Sequence, residues 1–330
     1  MRSRMRIFDF DPADHREEYA ERGYLHIRGG ITGEFLEHLR GFVAERFGEQ
    51  EVEGKAIGGR KSQAIYEAGP EIDFPGELFD VVAATCGLER QTMTLSERHI
   101  KAYDDDAPEE VPAHKDRFAS QVSMGLSIEV PAGSRLVLYP EVDVGVNPFN
   151  VSAALRESLE PGRLPENLLP GAPETELYDE PGDVMMFPGN ALWHFRRRQA
   201  NATLLYLKLN DFGSDPLGED PSTPVRRSET LAALNGGGAG IEGLVPVLSR
   251  RLDTLTREYT REPRLEILRA HVWEEAPIPL EPDDFRLLEA VDGRTPLGRL
   301  AVSLAADGDI GARVRRLAEK GALDLLLPAA

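Results

Sequence analysis

The chain has 330 residues and a formal charge of −19, with 38 lysines and arginines against 57 acidic residues, so it lacks the basic surplus with which a nucleic-acid groove releases phosphate counterions. Its composition, 41% hydrophobic and 29% charged, is that of a soluble globular protein; no apolar run approaches the ~20 residues that span a bilayer, and the single cysteine, Cys86, excludes an intrachain disulfide and a cysteine-rich zinc cluster. The length suits one large domain with an appendage, or two ordinary domains.

The N-terminal segment turns acidic before any apolar stretch of signal-peptide length, so the expected location is cytoplasmic. A polar helix is predicted to end at Gly23, followed by a short strand at "YLHI" and a second helix carried by the spacing of Phe35, Leu39, Phe42, Val43 and Phe47. From about residue 91 to 210 the texture changes to short β-prone runs, "ERHIKAY", "SQVSMGLSIEV", "SRLVLYP", "DVMMFP" and "TLLYLKLN", which predict an all-β core of sandwich or barrel type. An insertion at about 147 to 172, with a short helix expected at "SAALRESL", interrupts that core in the manner of a segment that covers an active site.

Beyond residue 211 the strands are expected to stop. "GSDPLGEDPSTP" reads as a linker, "NGGGAG" at 235 to 240 as a flexible break, and "LVPVLSRRLDTLTREY" as an amphipathic helix. The last stretch predicts helix, turn, helix, glycine break, helix and a terminal strand, a small winged-helix-like unit.

Only seven histidines are present. His15 and His38 fall in polar helical contexts, His26 in an early strand and His271 in an expected late helix, all ordinary structural positions. His114 and Asp116, in "VPAHKDRFAS", differ: in extended backbone residues i and i+2 project to one side, so both side chains can reach one ion, the alternative being a surface turn. A histidine at the end of a later strand would complete a set of two imidazoles and one carboxylate, which leaves adjacent positions open on an octahedral metal. His194, after "EPGDVMMFPGNALW", is placed for this.

These features, in this order, resemble the non-haem Fe(II), 2-oxoglutarate-dependent oxygenases, especially their phytanoyl-CoA hydroxylase-like branch. "YAERGYLHIRGGIT" resembles that branch's first helix, strand and turn, "HKD" its HxD motif, "GSRLVLYP" a turn and strand, and "GDVMMFPGNALWH" the strand leading to the distal histidine. The likeness spans roughly residues 15 to 212. It implies a mainly β protein with flanking helices, built on a double-stranded β-helix (a cupin-like jelly roll), with His114, Asp116 and His194 holding Fe(II) and with 2-oxoglutarate as cosubstrate. The implied division is an oxygenase domain at 1–225, a helical linker region at 226–275 and the winged-helix-like unit at 276–330. Asp116, where the halogenating relatives have Gly or Ala, disfavours halogenation.

The family's usual arginine for the distal carboxylate of 2-oxoglutarate is absent, because residues 204 to 207 are Leu, Leu, Tyr and Leu. A buried carboxylate still requires a cation, so Lys208 and Lys101 are the candidates, with Thr203 adding a hydroxyl. Arg196, Arg197 and Arg198 read as a solvated turn, with a clamp for an anionic group, Arg198 included, as the alternative. Tyr103, Phe118, Trp193 and Phe195 flank the ligands and are candidates to line a substrate pocket. The acidic surface and the expected lid favour a small-molecule substrate with dioxygen. Two alternatives stand beside this: a peptide or protein substrate (or a second copy of the chain) recruited through the C-terminal unit, and a cupin-like binding protein with a structural metal.

Overall fold

The computed structural model describes residues 4–47, 54–56, 59–235, 241–261, 265–304 and 310–327, in two units, Met1–Gly213 and Ser214–Ala330. In the first, the elements in chain order are α1 (Arg16–Arg22), β1 (Leu25–Ile27), α2 (Gly33–Phe47), β2 (Gly54–Ala56), β3 (Gly59–Ile65), α3 (Phe74–Cys86), β4 (Thr94–Tyr103), β5 (Val122–Glu129), β6 (Arg135–Tyr139), α4 (Ser152–Ser158), α5 (Pro165–Leu168), β7 (Thr175–Leu177), β8 (Val184–Phe187), β9 (Trp193–Arg197) and β10 (Thr203–Asn210). Gly23 closes α1 at φ 73°, donating its N–H to the Tyr19 carbonyl, the left-handed cap that glycine adopts without a Cβ penalty.

The strands form a seven-stranded antiparallel sheet, ordered β1-β8-β5-β10-β4-β3-β2, and a three-stranded sheet, ordered β7-β6-β9. After β4 the chain crosses to the smaller sheet, where His114 bridges to His194 on β9. It returns to the larger sheet for β5, crosses for β6 and β7, returns for β8, crosses for β9 and returns for β10. This winding is a jelly roll, and the two sheets are not bonded into a closed barrel among the described residues.

The alternation of residues explains how the larger sheet can have a core on one face and a cavity on the other. On β5, Val122, Met124, Leu126 and Ile128 join the core with Phe35, Leu39, Leu78 and Val82 of α2 and α3. The intervening Ser123, Gly125 and Ser127 turn to the inner face, where their small size leaves room. On β10, Leu205, Leu207 and Leu209 enter the same core, so Leu204, Tyr206 and Lys208 face inward. A slip of one residue would exchange the two sets, so burial on the outer face sets the register.

The second unit comprises α6 (Ser222–Asn235), β11 (Val245–Leu248), β12 (Leu252–Tyr259), β13 (Glu266–Val272), β14 (Ile278–Leu280), α7 (Pro282–Ala290), α8 (Leu297–Ser303), α9 (Ile310–Glu319) and β15 (Leu323–Leu326). Its sheets are β12-β13-β14 and β11-β15. Helix, helix, helix and terminal strand follow one another at the end of the chain as expected, and β15 pairs with β11, upstream of the helices.

Three expectations for this region are corrected. Residues 244–259 form β11 and β12 instead of a helix, so 226–275 is not a helical linker. Pro246 is tolerated on β11, which pairs on one side only. His271 accordingly lies on β13, its Nε2 2.9 Å from Thr256 Oγ1. The segment at 213–224 is no loose linker, because buried Asp215 accepts hydrogen bonds from the Glu219 and Asp220 N–H groups and the Thr223 hydroxyl. The expected boundary at 225 falls inside α6. Glycine-rich 236–240 and the break at 305–309 lie outside the described residues.

Buried Asp183, in the turn before β8, ties β1 and the turn after it to the neighbouring strand: its carboxylate accepts from the Gly29 and Glu180 N–H groups, each at 2.9 Å, and lies 2.8 Å from His26 Nε2. Asp183→Ala strands these donors and is expected to lower stability by about 2–4 kcal/mol in chemical denaturation.

Candidate metal centre

His114 and His194 face one another across an antiparallel bridge and exchange both backbone hydrogen bonds, His114 N–H to the His194 carbonyl at 3.0 Å and the reverse at 2.9 Å. That pairing puts both side chains on one face, with ring centroids 4.5 Å apart. Asp116, two residues on, donates its N–H to the Gly189 carbonyl at 2.8 Å. One donor atom from each of the three side chains lies within 4.8 Å of the other two.

The chemistry of the set fits a divalent metal. His194 Nδ1 lies 2.9 Å from the Leu192 carbonyl and His114 Nδ1 3.3 Å from that of Pro112, so each ring, donating Nδ1–H there, keeps the Nε2 lone pair for the interior. His194 Nε2 lies 3.6 Å from Asp116 Oδ2. Burial drives the His194 pKa down to about 3 against the pull of Asp116, and burial also lowers His114; both imidazoles are neutral, as ligation requires. Burial alone would raise the Asp116 carboxyl, but the Lys208 ammonium holds it well below the usual carboxylate range.

Neighbouring residues fix the aspartate. Ser123 donates its hydroxyl to Asp116 Oδ2 at 2.6 Å, and Lys208 Nζ contacts the same oxygen. A Cβ at Gly189 would overlap both Ser123 Oγ and Asp116 Oδ2, so only glycine allows the carboxylate this close. The insertion at 147–172 works from behind: Asn147 Nδ2 donates to the Asp116 carbonyl at 2.8 Å and the Phe118 N–H to the Phe149 carbonyl at 2.7 Å. Its Leu155, Leu159, Leu168 and Leu169 pack on Trp193 and Phe195. None of its residues lines the cavity, so the insertion buttresses the ligand strands and is not the expected lid.

The cavity, about 460 Å³, opens from the three ligands across the inner face of the larger sheet. Phe187 and Met185 form an apolar side, and Lys61, Gln63, Glu97, His99, Lys101, Tyr103, Tyr206 and Lys208 a polar one. Glu97 is the hub of that side, 3.0 Å from Lys101 Nζ, 3.3 Å from His99 Nδ1 and 3.5 Å from Arg117 Nη2. Burial opposes its charge, but Lys101 and His99 prevail and keep the carboxyl ionised well below its ordinary pKa. Alternation along "ERHIKAY" puts Glu97, His99, Lys101 and Tyr103 on one face, a signal already present in the sequence.

Several expected positions fall elsewhere. Lys208, Lys101 and Tyr103 line the cavity. Thr203 does not: five positions from Lys208 on one strand, it projects to the opposite face. Trp193 is buried with Val137, Tyr139 and Leu169 on the far side of β9. Phe118 packs on Phe212, ring centroids 4.6 Å apart. Arg198 is on the surface at φ 55°, paired with Glu109 at 2.9 Å. The three arginines are not one solvated turn. Arg196, two residues from His194 on the same face, is 5% exposed, grips Asp179 with two hydrogen bonds of 2.9 Å and lines the cavity.

No protein-family model matches the chain, and no curated protein does. Among solved structures it is similar to SnoN, a non-haem α-ketoglutarate-dependent epimerase from nogalamycin biosynthesis, at 13% identity over 61% of this chain and 84% of that one, TM-score 0.45. HygX from Streptomyces hygroscopicus, with nickel and 2-oxoglutarate bound, matches at 15% over 60% and 87%, TM-score 0.41. A Pseudomonas putida prolyl-4-hydroxylase matches at 16% over 60% and 97%, TM-score 0.40. At such distances, what the site does follows from this chain's own residues.

Ser123→Ala is expected to weaken divalent-metal affinity roughly tenfold in anaerobic calorimetry with the fold intact, and Gly189→Ala roughly a hundredfold, because the Cβ displaces the carboxylate itself.

Proposed function

We propose that the first unit is a non-haem Fe(II)- and 2-oxoglutarate-dependent oxygenase that oxidises an unactivated C–H bond of a small molecule. The observation that carries this reading is the convergence of two neutral imidazoles and one carboxylate at one end of a cavity, a donor set that leaves metal positions for exchangeable ligands. When bound there, ferrous iron with 2-oxoglutarate supplies the activation of dioxygen.

The chain's own residues do the rest. His114, Asp116 and His194 hold the metal, and the carbonyls of Pro112 and Leu192 orient the imidazoles. Lys208 and Lys101, whose ammonium groups lie 5.8 and 5.1 Å from the Tyr206 ring centroid, provide the cation for the cosubstrate's distal carboxylate in place of the absent arginine. Both terminal nitrogens of Arg196 are engaged by Asp179, and Thr203 faces away, so neither takes that role. Phe187 and Met185 exclude water from the side where a substrate carbon would approach.

A second reading draws on the second unit, where a cleft of about 670 Å³ is lined by Val272, Ile278 and Pro279 from β13 and β14 and by Arg227 and Asp324. A cleft of that size takes peptide side chains, which favours a peptide substrate recognised by this unit.

Anaerobic Fe(II) with 2-oxoglutarate is expected to give a weak visible charge-transfer absorption that His114→Ala abolishes; background absorption and no 2-oxoglutarate consumption with any metal sink the oxygenase reading. A chain ending at Gly213 that folds and keeps turnover on a small metabolite favours the first reading, and one that folds and loses it favours the second.

A further inference from the structure

Of 38 basic residues only six are lysines, and three of those six, Lys61, Lys101 and Lys208, line the cavity. Two have carboxylate partners: Lys101 has Glu97 at 3.0 Å and Lys208 has Asp116. Lys61 has none within ion-pair distance among the described residues; its ammonium rests 5.8 Å from the Tyr103 ring centroid, the residue opposite it across β3 and β4. Burial, then the like charge of Lys101, lowers its pKa to about 8. A half-buried ammonium pressed toward neutrality in a chain of charge −19 has an incentive to meet an anion arriving from the cavity.

Sheet order says which molecule brings that anion. From Ser123, beside Asp116, to Lys61 the strands run β5, β10, β4, β3, three spacings or about 14 Å across the sheet, and the register adds to this: Ser123 faces Lys208 and Lys208 faces Glu97, whereas Lys61 faces Tyr103, six residues further along β4. A keto diacid with four C–C bonds of ~1.5 Å, chelated at the triad, does not span this. Metal and cosubstrate charges also offset one another, two positive against two negative, so the cationic surplus at β3 and β4 persists in the loaded site.

We infer that the substrate carries an oxyanion, a carboxylate or a phosphate, which binds to Lys61 on the β3 side of the cavity while the carbon to be oxidised lies toward the metal. Gln63, on the same face of β3 two positions on and 3.0 Å from His99 Nδ1, stands beside that group as a neutral hydrogen-bonding neighbour. The inference rests on the oxygenase reading for the position of the reacting carbon, though binding of the anion at Lys61 can be measured without turnover.

The test uses the full chain with its lysines carrying ¹³C-methyl labels, Zn(II) and 2-oxoglutarate at saturation, and inorganic phosphate or acetate as probe; Lys61→Arg assigns the Lys61 resonance. The expected result is that this resonance shifts and its titration midpoint rises with the probe. A larger response to phosphate points to a phosphate ester, a larger response to acetate to a carboxylate. Calorimetry is expected to show affinity for the effective probe at least tenfold weaker in Lys61→Met and retained in Lys61→Arg. A Lys61 resonance that responds fully to Zn(II) and 2-oxoglutarate, with nothing further from either probe, assigns the cation to the cosubstrate and overturns the inference. A resonance that responds to nothing identifies a solvated lysine and overturns it equally. If Zn(II) and 2-oxoglutarate leave the Lys101 and Lys208 resonances unmoved, the oxygenase reading fails, while the response of Lys61 to phosphate or acetate still decides whether an anion binds there.

Discussion

Two backbone hydrogen bonds between His114 and His194 hold this molecule's chemistry together. A bonded antiparallel pair has no freedom of register, so the imidazoles lie side by side whatever the loops between them do. The aspartate then follows by alternation, and the Gly189 carbonyl fixes the backbone from which it projects. Because β9 belongs to the smaller sheet and the segment at His114 bridges to it, the three side chains look across the interior to the larger sheet, and the polar face of β4, β10 and β3 becomes the wall opposite them.

That wall reverses the character of the protein. An acidic chain encloses a cavity with a surplus of cations, held in place by a few buried carboxylates: Glu97 serves Lys101, His99 and Arg117, and Asp179 serves Arg196. Such pairs add little net stability, since desolvation offsets most of their attraction, but removing one partner leaves a charge stranded. Their effect is to keep long side chains in defined places within the cavity. Lys61 is the exception, because no carboxylate of the described residues meets it.

The insertion between β6 and β7 shows how rigidity is supplied. Its apolar residues cover the outer side of β9, and Asn147 and Phe149 hold the backbone that bears Asp116. Small inner-face residues, Ser123 and Gly189, then let the carboxylate settle against its neighbours. Support from outside and space within are separate requirements, met by different residues.

Local pattern reached far in the first unit. The apolar runs located β4, β5, β6, β8 and β10, and the spacing of His114 and Asp116, with a histidine after a later strand, pointed to the three side chains that converge in the structure, because alternation is a property of extended backbone alone. The same rule, applied from His194 along β9, turns Arg196 inward, and applied from Lys208 along β10 it turns Thr203 to the opposite face. In the second unit the leucines of 244–259 suit a helix or two strands, and partner strands outside the segment, one of them some eighty residues downstream, decided for strands. Sequence by itself determined which residues share a face. Which face is interior, which lysine lacks a counter-ion and what the insertion leans on were decided only by the tertiary structure, because each depends on groups brought together from distant parts of the chain, about which local periodicity carries no information.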